Sequence, residues 1–418
     1  MLALCNAVVM FRVLGAGGRG ELAFLTVMAN LTTSISLFGI DVAHGNILGQ
    51  TPERAKHVAT NAWVLSALLS ISAGALLVVA FLAIPGIQPN TTWPLIIAAL
   101  LSVPCMVVAL NLRSMAFTEY HFTLANTATA IVPVINLSGN VAFALAGQLS
   151  VTVALFTWIT GQVMSLIVLA VWVSREIGYA RPNLSLMNQA FRFGAKNHLT
   201  STMQLANFRL DQWFVGLIAG NAQLGIYANA VAFAETLFYL PQAVANAQRP
   251  DLIRATERDA ARQGATGARL AIVVTAVGAV ALVVLAPWLM DFFFGKEGAA
   301  GAGMLQMLAP GAVGIVLTKV LSITLVSQNR PLATAMPIGA GLVTTIALDL
   351  LLIPAHGGFG AAVASTAAYM VAGVLMAAIF LRKFGLPASS LIPRGDDLRN
   401  LAAPAAGALR SRRAKASL

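Results

Sequence analysis

Along the chain, apolar runs of roughly twenty residues alternate with short polar connections, and roughly twenty residues is what a helix needs to cross the hydrocarbon core of a bilayer. Runs fall at about 1–14, 21–43, 60–84, 93–113, 122–147, 150–174, 194–219, 222–247, 268–290, 303–327, 332–353 and 358–381, which predicts twelve transmembrane helices. A transmembrane barrel would alternate apolar and polar positions in pieces of about ten residues, and the sequence has no such pieces. The first run is short. Its roughly fourteen residues rise about 21 Å at 1.5 Å each, against a core of about 30 Å. The expectation is that the natural start of this helix is missing.

Composition narrows the picture. Hydrophobic residues make up 58% of the chain and charged residues 10%, where a soluble domain averages about 25% charged. The charges gather in the connections, and Lys and Arg are divided unevenly between the two sides. With a cytoplasmic N-terminus, 21 of the 26 fall in cytoplasmic connections and the tail, from Arg54, Lys56 and Arg113 onward. Only Arg19 and Lys296 fall in outer connections, and Arg12, Arg209 and Lys319 lie within runs. This is the excess of the positive-inside rule, so both termini are expected in the cytoplasm. It also gives the net charge of +11 a place, against the anionic inner leaflet. Nucleic-acid binding would need a basic patch on a water-facing module, and no stretch is left over to form one. Cys5 and Cys105 lie in apolar runs and frame no disulfide. The opening "MLALCNAVVMF" lacks the basic start and the cleavage site of a secretory signal.

The polar stretch "SREIGYARPNLSLMNQAFRFG" separates six runs from six. The expected organisation is a six-helix lobe at 1–174, an inter-lobe cytoplasmic loop at 175–193, a second six-helix lobe at 194–383, and a basic tail at 384–418 that is disordered against the inner leaflet. The halves echo each other faintly. Glycines stand at 15 and 20 after the first run and at 220 and 225 after the seventh. Two lobes of the same orientation form a parallel repeat about an axis along the membrane normal. The fold class is therefore an all-α polytopic membrane protein of twelve helices in two lobes, the first helix short.

Catalytic motifs are weak. "GAGGRG", Gly15 to Gly20, has the spacing of a dinucleotide fingerprint, with Asp41 about twenty residues on. The apolar "ELAFLTVMANLTTSISLFGI" that follows is too long for the first helix of a βαβ unit, and a tight turn between two membrane helices fits better. No lysine completes a phosphate-binding loop, so ATP is not expected to drive this chain directly. His44, His57, His121, His198 and His356 have no metal-ligand spacing. "GDD" at Gly395 to Asp397 reads as solvated tail. The sequence calls for no metal and no cofactor, and no serine, cysteine or carboxylate arrangement argues for an enzyme. Pro104, Pro133, Pro241, Pro310 and Pro337 lie within runs; each removes a backbone donor and can bend its helix, in a rocking transporter or in a static bundle.

Charge inside the runs carries most of the functional signal. Arg209 and Asp211 fall near the middle of the seventh run, in "NFRLDQWFVG", Glu235 near the middle of the eighth, and Lys319 in the tenth, while Arg12 and Asp349 lie nearer the outer ends. A charge at the bilayer centre costs several kcal/mol unless it meets a partner or a wet cavity. Both a structural ion pair and a polar cavity wall satisfy that condition. At about 100° per residue, Arg209 and Asp211 point roughly 160° apart, so they do not pair with each other. Asp211 continues a polar stripe through Asn197, Ser201 and Gln204, a face expected to line water. Arg209 turns elsewhere, and Glu235 on the next run lies at comparable depth.

Three stretches carry a family likeness. "RVLGAGGRGELAFL" (Arg12 to Leu25) resembles the first outer turn of bacterial polysaccharide exporters. "FRFGAKNHLTSTMQLANFRLDQWFVGLIAGNAQLGIYANAVAFAE" (Phe191 to Glu235) resembles their seventh and eighth helices, with the aspartate and the L-G-x-Y turn. "LDLLLIPAHGGFGAAVASTAAYMV" (Leu348 to Val371) resembles their last hairpin. Over essentially its whole length the chain resembles the oligosaccharidyl-lipid flippases, the Wzx-like exporters of the multidrug/oligosaccharidyl-lipid/polysaccharide (MOP) superfamily, which are similar in plan to the multidrug and toxin extruders (MATE). The resemblance implies two lobes around a cavity that opens alternately to each side. It implies movement of an undecaprenyl-pyrophosphate-linked sugar unit across the bacterial inner membrane, for lipopolysaccharide or exopolysaccharide synthesis. Lipid-linked oligosaccharide, membrane lipids, and polymerase and export components are the implied partners. Arg209, Lys319 and Arg12 become candidates for the anionic head group, with Gln204 and Asn197 on the cavity wall. Asp211 and Glu235 either pair with these cations or couple to protons. Two other classes compete. A cation-coupled drug exporter of the same superfamily would place carboxylates in the core of the first lobe, whereas runs two to six hold no acid near mid-depth. A membrane polymerase or ligase would need a large outer loop, and every outer connection is short.

Overall fold

The structure, a computed structural model, describes residues 2–84, 90–328, 330 and 332–393; the side chains of residues 196, 197, 199–201, 240, 246, 247, 249–251, 253 and 254 lie outside the description. All regular structure in the described residues is helical. In order, α1 is Leu2–Leu37, α2 Ile40–Gln50, α3 Ala55–Ala83, α4 Trp93–Thr118, α5 Phe122–Leu145, α6 Val151–Trp172, α7 Leu184–Phe214, α8 Gly220–Ala234, α9 Tyr239–Arg254, α10 Glu257–Ala299, α11 Ala302–Ser327 and α12 Leu332–Phe384.

Nine helical stretches in the described residues are long and apolar enough to cross a membrane. Three of them are double, while a fourth, α10, breaks at Gly295 only four residues before its end. α1 breaks at Gly15, the stretch from α7 to α9 breaks at Gly220, and α12 breaks at Gly357. Their φ values are 70, 83 and 53°, with ψ at −178, 172 and −136°, a backbone region open essentially only to glycine. Dividing the nine at these three glycines gives twelve membrane segments, the number the apolar runs predict.

The helices overrun the apolar runs. α2 continues to Gln50, and α7 begins at Leu184, well inside the loop expected over 175–193. α9 and α10 likewise extend over basic residues as far as Arg254 and from Glu257. Hydropathy reports the thickness of hydrocarbon, whereas Arg, Lys, Glu and Gln are good helix formers that carry a helix on into the interface. Arg19, expected in an outer connection, is likewise inside α1. Residues 394–418, where a disordered basic tail is expected, lie outside the described residues.

The chain forms two compact units. The first comprises Met1–Asn229, Met290–Gly301 and Asp349–Ala361; the second comprises Ala230–Leu289, Ala302–Leu348 and Ala362–Leu418. These boundaries cut across the expected lobes at 1–174 and 194–383, because the first unit takes in α7 and the ends of later hairpins. In the first unit α1 packs along α4, α5 and α7, and α5 pairs with α6. Water-driven burial does not hold helices together in lipid, so small residues and interhelical hydrogen bonds matter more. Asn140, fully buried, donates to Asn6 Oδ1 and Asn136 Oδ1 at 2.8 Å and accepts from Thr157 Oγ1 at 2.7 Å, joining α1, α5 and α6. In the second unit α11 and α12 meet backbone to backbone. A Cβ placed on Gly314 would lie 2.2 Å from the Tyr369 carbonyl oxygen.

The glycine echo is a physical contact within the first unit. A Cβ on Gly20 would lie 1.6 Å from the Asn221 carbonyl oxygen, and one on Gly225 would lie 2.0 Å from the Ala16 carbonyl oxygen. Each of these glycines stands five residues after a turn glycine. Each receives the carbonyl that follows the other turn glycine, so the crossing of α1 and α8 is reciprocal.

Candidate functional site

The seventh membrane segment carries Asp211 three residues before α7 ends at Phe214. There the backbone widens into a π turn over Val215–Ala219, with the Val215 N–H shared between the Asp211 and Gln212 carbonyls. Such π segments inside α-helices recur at functional sites. Gly220 then reverses the chain, and α8 brings Tyr227 back to α7. The Tyr227 hydroxyl donates to Asp211 Oδ2 at 2.6 Å, and the Gln212 N–H donates to Asp211 Oδ1 at 2.6 Å. Asp211 is 1% exposed and Tyr227 fully buried.

A second carboxylate lies near the first. Asp349, on α12 two turns before the Gly357 break, is fully buried and within Coulombic reach of Asp211. Neither of its carboxyl oxygens has a hydrogen-bond partner among the described residues. One carboxylate therefore has donors and the other has none among the described residues. Two carboxylates buried within reach of each other repel when both are charged, and burial costs them their hydration. The pair is thus suited to taking up a positive charge, either a proton or a cation.

In the second unit, Lys319 is half-buried on α11, and Glu235, in the turn between α8 and α9, lies within its Coulombic reach. Arg12 in the first unit is engaged differently. Its Nε donates to the Phe293 carbonyl at 2.7 Å and its Nη2 to the Phe292 carbonyl. These are among the last carbonyls of α10 before Gly295 (φ 70°), where a cation is favoured at a helix C-terminus. On the other side of the same clasp, the Ala16 N–H donates to Glu297 Oε1 at 3.4 Å.

Residues 9–297 match the family model described as polysaccharide biosynthesis protein. The chain belongs to this family. No curated protein matches it at the sequence level. Among solved structures, the fold is similar to that of the lipid II flippase MurJ in an inward closed conformation, at TM-score 0.74 and 13% identity over 93% of this chain and 86% of that one. It is similar to an inward-facing multidrug resistance MATE family transporter of the MOP superfamily, at TM-score 0.76 and 13% identity over 92% of this chain and 95% of that one. A MOP superfamily transporter from Pyrococcus furiosus is also similar, at TM-score 0.61 and 14% identity over 92% and 91%. At these identities the likeness is one of fold, and that fold is the MATE-like one expected of a MOP exporter.

In this polysaccharide biosynthesis protein the residues singled out by sequence fall into separate groups. Asp211 is brought together with Tyr227 and Asp349. It is closed over by protein, where the stripe through Gln204 predicted a face lining water; Gln204 itself is half-buried. Asn197 lies outside the described residues as far as its side chain is concerned. Glu235 has Lys319 within reach, and Arg209 is half-buried on α7. Tyr227 was not singled out by the sequence, and Asp349 only as a charge near the outer end of its run. Both lie in stretches that carried the family likeness: Tyr227 closes the L-G-x-Y turn, and Asp349 opens the last hairpin motif.

Proposed function

We propose that this polysaccharide biosynthesis protein is a flippase. It moves an undecaprenyl-pyrophosphate-linked sugar unit across the bacterial inner membrane by alternating access, for cell-surface polysaccharide synthesis. The observation that carries the reading is a polysaccharide biosynthesis chain with the fold of an exporter. One similar structure is of a lipid II flippase, which makes a lipid-linked substrate the first choice. The physics of the task fits. Sugar and pyrophosphate cannot enter hydrocarbon unaided, while the lipid tail stays in it, so the protein need only shelter the polar end. Arg209, Lys319 and Arg12 are the cations proposed to meet the head group, with Gln204 and Asn197 beside them. The Asp211–Asp349 pair takes up a proton or cation in one access state and releases it in the other, linking export to an ion gradient. The distribution of Lys and Arg supports a cytoplasmic position for both termini. Polymerase and export components are the expected partners.

The test is polymer export in a strain lacking its own flippase, with wild type and Asp211→Asn compared at equal membrane expression. Wild type restores export, and Asp211→Asn, which keeps its shape and most hydrogen bonds, slows it. Failure of the wild type to restore export with any lipid-linked repeat unit refutes the reading. The carboxylate pair also favours a second reading, a cation-coupled drug exporter, and drug resistance conferred in the same strain without polymer export would select it.

A further inference from the structure

The first unit holds a half-open cavity of about 500 Å³ among α1, α4, α5 and α6, with Leu205 of α7 on its wall. Its polar lining is unusual for helices in lipid. Arg113, counted by sequence among the cytoplasmic charges, lies five residues before the end of α4, half-buried, in this wall. One of its N–H groups goes to Thr129 Oγ1 at 3.1 Å. A guanidinium has five such donors, and no other hydrogen bond from Arg113 occurs among the described residues. Asp41 is within Coulombic reach but forms no direct bond with it.

The rest of the wall mixes apolar side chains such as Leu37, Met106 and Leu110 with neutral polar groups. Pro133 has no N–H to give the Thr129 carbonyl one turn back, and both residues line the cavity, so a proline marked in the sequence leaves an acceptor there. Gly161 lets α6 approach α5 closely, since a Cβ on it would lie 3.0 Å from the Val132 carbonyl oxygen. Gln162 and Ser165 line the cavity and make no side-chain hydrogen bond with any described residue. Polar groups around a void must be met by water or by a polar ligand. One fixed cation among neutral donors and acceptors matches a ligand with one anionic end and several hydroxyls. The volume falls in the range of small-ligand sites, roughly 300–1,000 Å³, and is too small for a whole oligosaccharide.

We propose that this cavity binds the phosphate-proximal end of the lipid-linked substrate, with Arg113 on a phosphate oxygen and Gln162, Ser165 and the Thr129 carbonyl on hydroxyls of the first sugar. The proposal rests on the flippase reading and adds to it the place and chemistry of the substrate's reducing end.

The experiment uses the full chain in phosphatidylcholine nanodiscs and two probes, farnesyl diphosphate and farnesyl-diphosphate-linked N-acetylglucosamine, with binding measured by calorimetry. Arg113→Gln weakens both probes about ten- to a hundredfold, the range of a lost charged hydrogen bond, and Arg113→Lys loses less. Gln162→Leu weakens the sugar-bearing probe about fivefold and leaves farnesyl diphosphate unchanged. If Arg113→Gln binds both probes like wild type, the cavity is not the site, while the flippase reading still stands on export. If wild type binds neither probe, the proposal falls, and export alone decides the flippase reading. Equal weakening of the two probes by Gln162→Leu overturns the sugar contact. Phosphatidylglycerol added to the nanodiscs displaces neither probe; displacement that depends on Arg113 would assign the cavity to bilayer lipid and overturn the proposal. Should Arg113→Gln not fold, Thr129→Val, which frees Arg113 without removing its charge, and Gln162→Leu carry the same comparison.

Discussion

Replacing Gly225 by alanine tests the reciprocal glycine crossing. The new Cβ would lie 2.0 Å from the Ala16 carbonyl oxygen and 3.0 Å from the Gly20 nitrogen. Carbon and oxygen settle at about 3.3 Å, so the two backbones must part by roughly 1.3 Å at the crossing. Nothing flexible is there to give way, because the opposing atoms are main chain. Overpacking of this kind costs about 1–3 kcal/mol, and the upper half of that range is expected here. Gly17→Ala is the control. It lies on the other helix of the crossing, α1, a Cβ there meets nothing within 4 Å, and alanine is the better helix former, so it is neutral or slightly stabilising. The assay is the melting temperature in detergent, read as the fraction remaining monodisperse after heating. At roughly 2–4 °C per kcal/mol for domains of 150–250 residues, Gly225→Ala melts several degrees below wild type. Gly20→Ala does the same. The double variant loses less than the sum, because the gap opened by one methyl admits the other. Gly225→Ala melting together with Gly17→Ala would refute the crossing.

Three further outcomes are expected. Asp349→Asn removes the carboxylate that has no donor, so folded yield is kept or raised while export loses its dependence on an ion gradient, measured by collapsing that gradient in cells; unchanged dependence removes Asp349 from coupling. Glu235→Ala and Lys319→Ala each lower thermal stability by roughly 1–3 kcal/mol, below the figure for a fully buried pair, and the double variant recovers part of the loss, which a strictly additive double variant would contradict. Single cysteines at Ala222 and His356 react with an impermeant thiol reagent in intact cells and one at Arg258 does not, the reverse pattern inverting the orientation.

What the sequence made legible follows from what the bilayer enforces. Span length is set by hydrocarbon thickness, so twelve segments and their breaks at Gly15, Gly220 and Gly357 follow from apolar runs and glycine alone. Helix ends were less legible, because α2 and α7 continue through charged interfacial residues that hydropathy counts as loop. The chemistry was half legible. Asp211 stood out as a charge in lipid, but an aromatic in an apolar run reads as packing, and nothing local distinguishes Tyr227 as its donor. Asp349 was visible only as a charge near a span end. Its nearness to Asp211 joins positions far apart in the chain, which no periodicity encodes. Arg113 was legible only as a topological charge, which a charge at the end of a run usually is; the cavity beside it joins four helices that no local pattern connects.

The Arg12 clasp has a consequence for the order in which this protein is made. Its carbonyl partner at Phe293 lies 281 residues downstream. At roughly 5–20 residues per second, the ribosome needs about 15–55 s to deliver that partner after Arg12 is synthesised. For that interval the first helix sits in the membrane with a guanidinium it cannot yet place. Whatever holds it there meanwhile, insertion machinery or lipid phosphate, is a transient requirement of biogenesis that leaves no trace in the finished fold.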